Sequence, residues 1–362
     1  MITRMDRHLV RRLLTSFGIL VVVFVLFFIV LHYVESADEF FDRGASLRQV
    51  FLVYYPSYVP EIVKLVSPVA IFLATVYLTG RMAQELQLMA LSTSGVSLYR
   101  MMVPFLAVGL VLTGTMFWFN GWVVPESNRT RIDFEQQYLE PGSGSTERSH
   151  IYRRTGESGM LRIGYFDAED SVAHRVSLYR LDPGGGLIRR IDASAMEWID
   201  STGSWRLTNL TVHRFASDDR IRTTETTAAD TTIGLFPRDL VRRESDVDQL
   251  SVSEAHEYIQ SLRRSGVSNL GRPLVAYYGK YTYPAANLIL VLVGVPLASV
   301  RRRGGQAVQL ALGFTVAFLY LATVRLVEPF GYAGQIDPVL AATVPHAAFL
   351  LVGIGLLVGV RK

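Results

Sequence analysis

Six long apolar runs, 13–34, 59–80, 101–124, 281–300, 307–327 and 339–360, alternate with polar connections along the chain. Each holds about 20 residues, which at about 1.5 Å per residue matches a hydrocarbon core about 30 Å thick, so each predicts a membrane-crossing helix. Between the third and fourth runs lies a polar stretch, 125–271, long enough to bury a core of its own. The pattern therefore predicts an α-helical membrane bundle interrupted by one inserted domain. Residues 1–125 hold three spans, 126–272 the insertion and 273–362 three more spans.

Inside the insertion the period changes. Segments 151–153, 160–166, 175–181, 187–198, 205–215 and 221–233 are short and rich in Val, Ile, Thr, Tyr and Trp. Gly156, Asp182-Pro183-Gly184-Gly185-Gly186 and Thr202-Gly203-Ser204 separate them with turn chemistry. An all-β domain, sandwich or jelly-roll-like, is expected. One helix is expected at its end, about 252–265: Ser251 and Glu254 form a capping box, Ala255, Tyr258, Ile259 and Leu262 an apolar stripe, and Gly266 a stop.

Charge orients the spans, because Lys and Arg near span ends stay cytoplasmic while acids count for little. Arg4, Arg7, Arg11 and Arg12, then Arg81 and Arg100, then Arg301, Arg302 and Arg303, then Arg361 and Lys362 mark every second connection. Glu35, Asp38, Glu39, Asp42, Glu328 and Asp337 lie on the other side. Both termini are thus expected in the cytoplasm and the β domain outside it. The first apolar run exceeds the 7 to 15 residues of a signal-peptide h-region and no small-x-small site follows, which favours a retained span. A net charge of +4 with 50% hydrophobic residues fits anchoring arginines on a membrane protein rather than a nucleic-acid binder.

Catalytic chemistry is missing from the pattern. Zero cysteines exclude disulfides, Cys-ligated zinc, iron–sulfur clusters and thiol catalysis. His8, His32, His150, His174, His213, His256 and His346 show no metal-ligand spacing. Gly184-Gly185-Gly186 precedes no Lys-Ser/Thr and is no phosphate loop. No cofactor is expected in this chain, and no enzyme activity; energy must come from ions or from a partner.

The connection 80–96 carries the sharpest signal. It is rich in helix formers and too polar at its start to span, so a short cytoplasmic helix is expected at about 82–94, broken by Ser94-Gly95. Leu88, Leu91 and Met89 give it an apolar face, with Glu85 one turn earlier. It lacks the Lys and Arg of a helix that lies on headgroups, so docking to a protein is the expected role.

In these residues the chain resembles the LptF/LptG permease family, the membrane subunits of the ATP-driven lipopolysaccharide exporter. The likeness runs over nearly the whole chain. It rests on Met5-Asp6-Arg7-His8, Ser67-Pro68, Glu85-Leu86-x-x-Met89-x-x-x-x-x-Gly95-Val96, Trp122-Val123-Val124-Pro125, Ser204-Trp205-Arg206-Leu207 and Pro329-Phe330-Gly331, in that order. The helix from His256 to Gly266 and the Pro329-Phe330-Gly331 turn lean toward the LptG branch.

The resemblance implies a bacterial inner-membrane protein in which a second, LptF-like permease completes an outward-facing cavity. A cytoplasmic LptB-like ATPase dimer, which holds ATP and Mg, docks on the coupling segment through Glu85 with Arg81, Leu88 and Met89. The periplasmic β domain passes lipopolysaccharide to LptC/LptA-like bridge proteins by pairing jelly-roll edges. A phosphorylated lipid needs apolar walls and a basic rim, for which Lys64, Arg325, Lys280 and His32 are the candidates. Glu61 and Glu328, each three positions from Lys64 or Arg325, offer those two cations internal ion pairs instead. The lysines that the family places just after the first span are replaced here by His32, Asp38 and Glu39. A membrane-anchored sensor or scaffold with a ligand-binding β domain is the alternative function; it would need a cytoplasmic signalling domain.

Overall fold

A computed structural model of the chain describes residues 4–138, 147–155, 159–167, 170–182, 186–199, 202–215, 221–233, 237, 240, 244–264, 270–301 and 304–359. The helices are α1 (Arg4–Asp42), α2 (Tyr55–Gln84), α3 (Gln87–Thr93), α4 (Leu98–Trp118) and α5 (Val124–Tyr138). Six strands follow: β1 (Glu147–Thr155), β2 (Gly159–Asp167), β3 (Val172–Leu181), β4 (Leu187–Ile199), β5 (Ser204–Phe215) and β6 (Ile221–Thr231). Then come α6 (Val252–Arg264), α7 (Gly271–Ser299), α8 (Gly305–Tyr332) and α9 (Pro338–Gly359). Gly156, Pro183, Gly184, Gly185, Gly266, Arg302, Arg303, Arg361 and Lys362, given roles above, lie outside the described residues.

The chain divides into a helical unit, Met1–Phe134, Val247–Val252 and Gly271–Lys362, and a β unit, Glu135–Asp246 and Ser253–Leu270. The expected membrane bundle with an inserted β domain is present, with six helices among the described residues long and apolar enough to cross a membrane. Polar turns extend several of them beyond the apolar runs. The third continues from α4 through a π-turn, Phe119–Val123, into α5, so the helix runs past residue 126.

Within the helical unit α2 and α7 are central. Ile71, Ala74 and Leu78 of α2 pack with Leu9 and Leu13 of α1, Met102 and Phe105 of α4, and Val291 and Val295 of α7. Phe72, Leu73 and Val76, on the other side of α2, pack with Leu290 and Val293 of α7 and Ala317 and Tyr320 of α8. Small residues allow the approach: a Cβ on Gly313 of α8 would lie 3.1 Å from Val76. The Ser67 hydroxyl donates to Asn287 at 2.9 Å, both buried, which ties α2 to α7.

The β unit is one antiparallel sheet in chain order, β1-β2-β3-β4-β5-β6. Its turns use the chemistry read from the sequence. Asp182 N–H donates to Gly186 O at 2.8 Å, and Gly203, at φ 60°, closes the β4–β5 turn. A line of interrupted pairing crosses the sheet where Gly164, Arg175, Ser194 and Asn209 stand between paired neighbours. Arg175 and Asn209 sit there at φ 54° and 51°, a conformation few non-glycine residues adopt. Gly164 is required opposite Arg175, since a Cβ would lie 2.9 Å from the Arg175 Cβ.

Along each strand the inward positions change parity at this line: Leu161 and Ile163 before it but Phe166 after, Trp205 and Leu207 before but Leu210 and Val212 after. All belong to one core cluster, so both halves of the creased sheet cover a common interior. The expected all-β domain is thus a single creased meander, β1 to β6 in chain order. The Ser204-Trp205-Arg206-Leu207 motif follows the same logic: Trp205 is buried against Trp198 and Phe166, Leu207 is buried, and Arg206 points out to Asp230 of β6. In α6 the predicted stripe, Ala255, Tyr258, Ile259 and Leu262, is buried.

Candidate functional site

Three of the four sequence-picked phosphate candidates meet in one place. Lys64 of α2, Lys280 of α7 and Arg325 of α8 line a pocket of ≈ 160 Å³ together with Glu61, Glu328, Asp248, Asn120, Tyr283 and Tyr332. Both internal ion pairs form: Lys64 Nζ lies 2.5 Å from Glu61 and Arg325 Nη1 3.4 Å from Glu328. The second pair is the looser, with the Arg325 side chain 69% exposed. Lys280 is 4% exposed. Asn128 donates to Glu61 at 3.0 Å and to the Asp248 carbonyl at 3.3 Å, which fixes one acidic wall.

The sequence explains the spacing of these cations in a way its charge pattern hides. Lys64, Lys280 and Arg325 each stand four residues before a proline, Pro68, Pro284 and Pro329, inside α2, α7 and α8. Proline has no N–H, so the carbonyl of each cationic residue lacks its usual helical donor. For Lys280 the buried Asn120 side chain replaces that donor at 3.3 Å. Three helices thus carry a missing backbone bond at the level where their cations converge.

His32 lies apart from this pocket, in an aromatic cluster. Tyr54 and Tyr55 hydroxyls lie 3.2 and 3.4 Å from its ring nitrogens, and Phe40 and Tyr58 pack around it. Its polar atoms are engaged by tyrosines rather than aimed among the three cations. Asp248, Asn120, Tyr283 and Tyr332 are the pocket residues that sequence reasoning missed.

At the other end of α2 lies the connection 80–96, for which a docking role is expected from the sequence. The helix ends at Gln84, and Leu86, at φ 61°, turns the chain before α3 begins at Gln87. The short helix is therefore 87–93 rather than about 82–94, because a left-handed residue cannot continue a right-handed helix. Gly95, at φ 83°, ends the segment as expected from Ser94-Gly95. Glu85 lies in the turn, where Arg81 Nε donates to it at 2.7 Å and Gln87 at 2.6 Å. Leu88 and Leu91 are half-buried and pack against the core of the helical unit, while Met89 points outward, 62% exposed. Asp6 of α1 accepts two bonds from Arg100 of α4, at 3.1 and 2.7 Å, and fixes the neighbouring helix ends.

From Lys64 to Glu85 is 21 residues, about 31 Å of helix, and α2 buries most of its apolar stretch between them. Pocket and turn are two ends of one packed rod. The sequence matches the family described as lipopolysaccharide export system permease LptF/LptG over residues 7–358. The chain belongs to this family. It is 21% identical over 304 residues to the lipopolysaccharide export system permease protein LptG of Escherichia coli K12, with 83% of this chain and 82% of the relative covered. Against the LptG of Haemophilus influenzae it is 19% identical over 354 residues, 97% of each chain. The lean toward LptG over LptF agrees with these relatives. Membership makes this a multi-pass permease subunit of a lipopolysaccharide export system.

Proposed function

We propose that this chain is the inner-membrane permease subunit of an ATP-driven exporter that extracts lipopolysaccharide and passes it to a periplasmic β bridge. The observation that carries the proposal is α2, a single buried helix with the three-cation pocket at one end and the Glu85 turn at the other. The turn lies at the cytoplasmic end, with the arginine-rich helix starts, and docks an LptB-like ATPase dimer that supplies ATP and Mg. Glu85, now held by Arg81 and Gln87, exchanges those partners for a basic residue of the ATPase, while exposed Met89 enters its groove. Leu88 and Leu91 transmit the push, because they already pack against the core of the helical unit.

The pocket lies at the periplasmic end. A phosphate of the lipid displaces Glu328 from Arg325, the looser pair, and gains Lys64 and Lys280 as neighbours. An LptF-like permease closes the cavity, and a sheet edge of the β unit, β1 or β6, accepts the edge of an LptC/LptA-like jelly roll. Purification from the native membrane tests the assembly: the chain is expected to carry with it an ATPase, a second permease and a β-bridge protein. Recovery of the intact chain alone, under conditions that keep other exporters whole, would overturn the proposal.

A further inference from the structure

At the Glu85 end of the helical unit, a cleft between α1 and α2 shares only Arg81 with the transport account. It measures ≈ 470 Å³ and is lined by His8, Arg11, Arg12 and Thr15 of α1 and by Tyr77 and Arg81 of α2, among others. The spacings of three and four residues put each set on one helix face. His8, Arg11 and Arg12 are exposed, and none makes an ion pair among the described residues. Nearby acid is scarce. Asp6 and Glu85 are the only carboxylate side chains in segments 1–16, 77–101 and 297–310, and both are already held, by Arg100 and by Arg81.

Excess positive charge at this level needs an anion, and the surroundings say which kind. The cleft opens where the apolar run of α1 begins, and Leu14, Ile19, Val22 and Val23 continue outward from it as exposed apolar surface. Guanidinium groups grip phosphate through paired N–H bonds, and the exposed strip suits an acyl chain. We propose that the cleft binds the phosphate headgroup of an anionic phospholipid, and that the bound phosphate draws Arg81 away from Glu85. Free of Arg81, Glu85 becomes available to an ATPase partner. This second step rests on the coupling role of Glu85 proposed above; the lipid site rests only on the cleft.

The experiment uses the chain purified with its partners into nanodiscs of phosphatidylcholine containing phosphatidylglycerol, with retained lipids counted by native mass spectrometry. Wild type is expected to retain phosphatidylglycerol over phosphatidylcholine, and Arg11→Gln/Arg12→Gln to retain at least about fivefold less. Arg7→Gln removes one charge outside the cleft and is expected to change retention by less than about twofold. Should the double variant insert poorly, Arg11→Lys/Arg12→Lys keeps the orienting charge and is expected to retain less than about half. Equal losses in the cleft and Arg7 variants, no preference between the two lipids, or displacement by inorganic phosphate would each overturn the site. ATP hydrolysis in the same discs separates the two steps. Loss of retained lipid with unchanged stimulation by phosphatidylglycerol would overturn the Arg81 step alone, whereas absence of an ATPase from the preparation would overturn the coupling reading and leave the lipid count standing.

Discussion

At the residue scale, the proposed function rests on charged groups held in pairs that a partner is expected to break. Lys64 and Arg325 already have Glu61 and Glu328. Replacing Arg325, 69% exposed, with Gln is expected to leave yield and thermal stability nearly unchanged, since such an exposed pair is worth about 0–1 kcal/mol. Lys64→Gln instead leaves the more buried Glu61 uncompensated and is expected to lower stability. Lipid-stimulated ATP hydrolysis in reconstituted complexes should fall, and fall less for a substrate without phosphates. Loss of stability with a normal specific rate would mean that the pairs are structural only. In the β unit, Arg206 hydrogen-bonds Asp230 and holds its carboxyl below the usual carboxylate range. A depressed folded value adds stability above the unfolded value, about 4, and this is lost as pH falls through the folded one. Asp230→Asn should therefore lower stability at neutral pH and flatten the acid limb of the β-domain unfolding curve; an unchanged acid limb would contradict the pair. The three pocket cations were legible in the sequence because they are charges near span ends. Asp248 and Asn120 were not, because nothing local signals a partner across more than 100 residues of chain.

At the element scale, helices and strands followed from hydrophobic period, and their interruptions did not. The crease of the sheet turns on left-handed Arg175 and Asn209, and the turn after α2 on left-handed Leu86, where only the fold makes a non-glycine residue accept that conformation. The sheet register also exposes a row of like charge. Arg180, Arg189, Arg214 and Arg222 stand directly opposite one another on β3 to β6, and among the described residues none has a carboxylate partner. Like charges so placed oppose pairing by about 0.2–1 kcal/mol per contact. Arg214→Thr is accordingly expected to raise the melting temperature of the β domain, with a larger gain at about 0.01 M than at about 1 M salt. A lower melting temperature at both salts would show that the arginines stabilise the sheet.

At the scale of the whole molecule, the order of three spans, insertion and three spans was plain from the sequence, whereas the convergence of the cations on one pocket needed the packing of α2, α7 and α8. Among the described strands, β1 and β6 stand at the two ends of the sheet. Photocrosslinkers placed along 151–166 and 221–233 are expected to give adducts with a β-bridge protein on one of these edges. Deletion of 141–247 should spare membrane insertion and ATPase docking but stop delivery; adducts at neither edge would remove the bridging role. The central claim is that α2 joins lipid at one end to ATP hydrolysis at the other through Glu85. It is tested most directly by ATP-dependent transfer of lipopolysaccharide from proteoliposomes to a soluble bridge protein, with Glu85→Ala beside wild type. A charge-assisted contact worth about 1.5–3 kcal/mol predicts a loss of transfer of at least about tenfold while the chain still inserts and the pocket still holds lipid. Transfer at the wild-type rate, with the ATPase recovered in full, would contradict it.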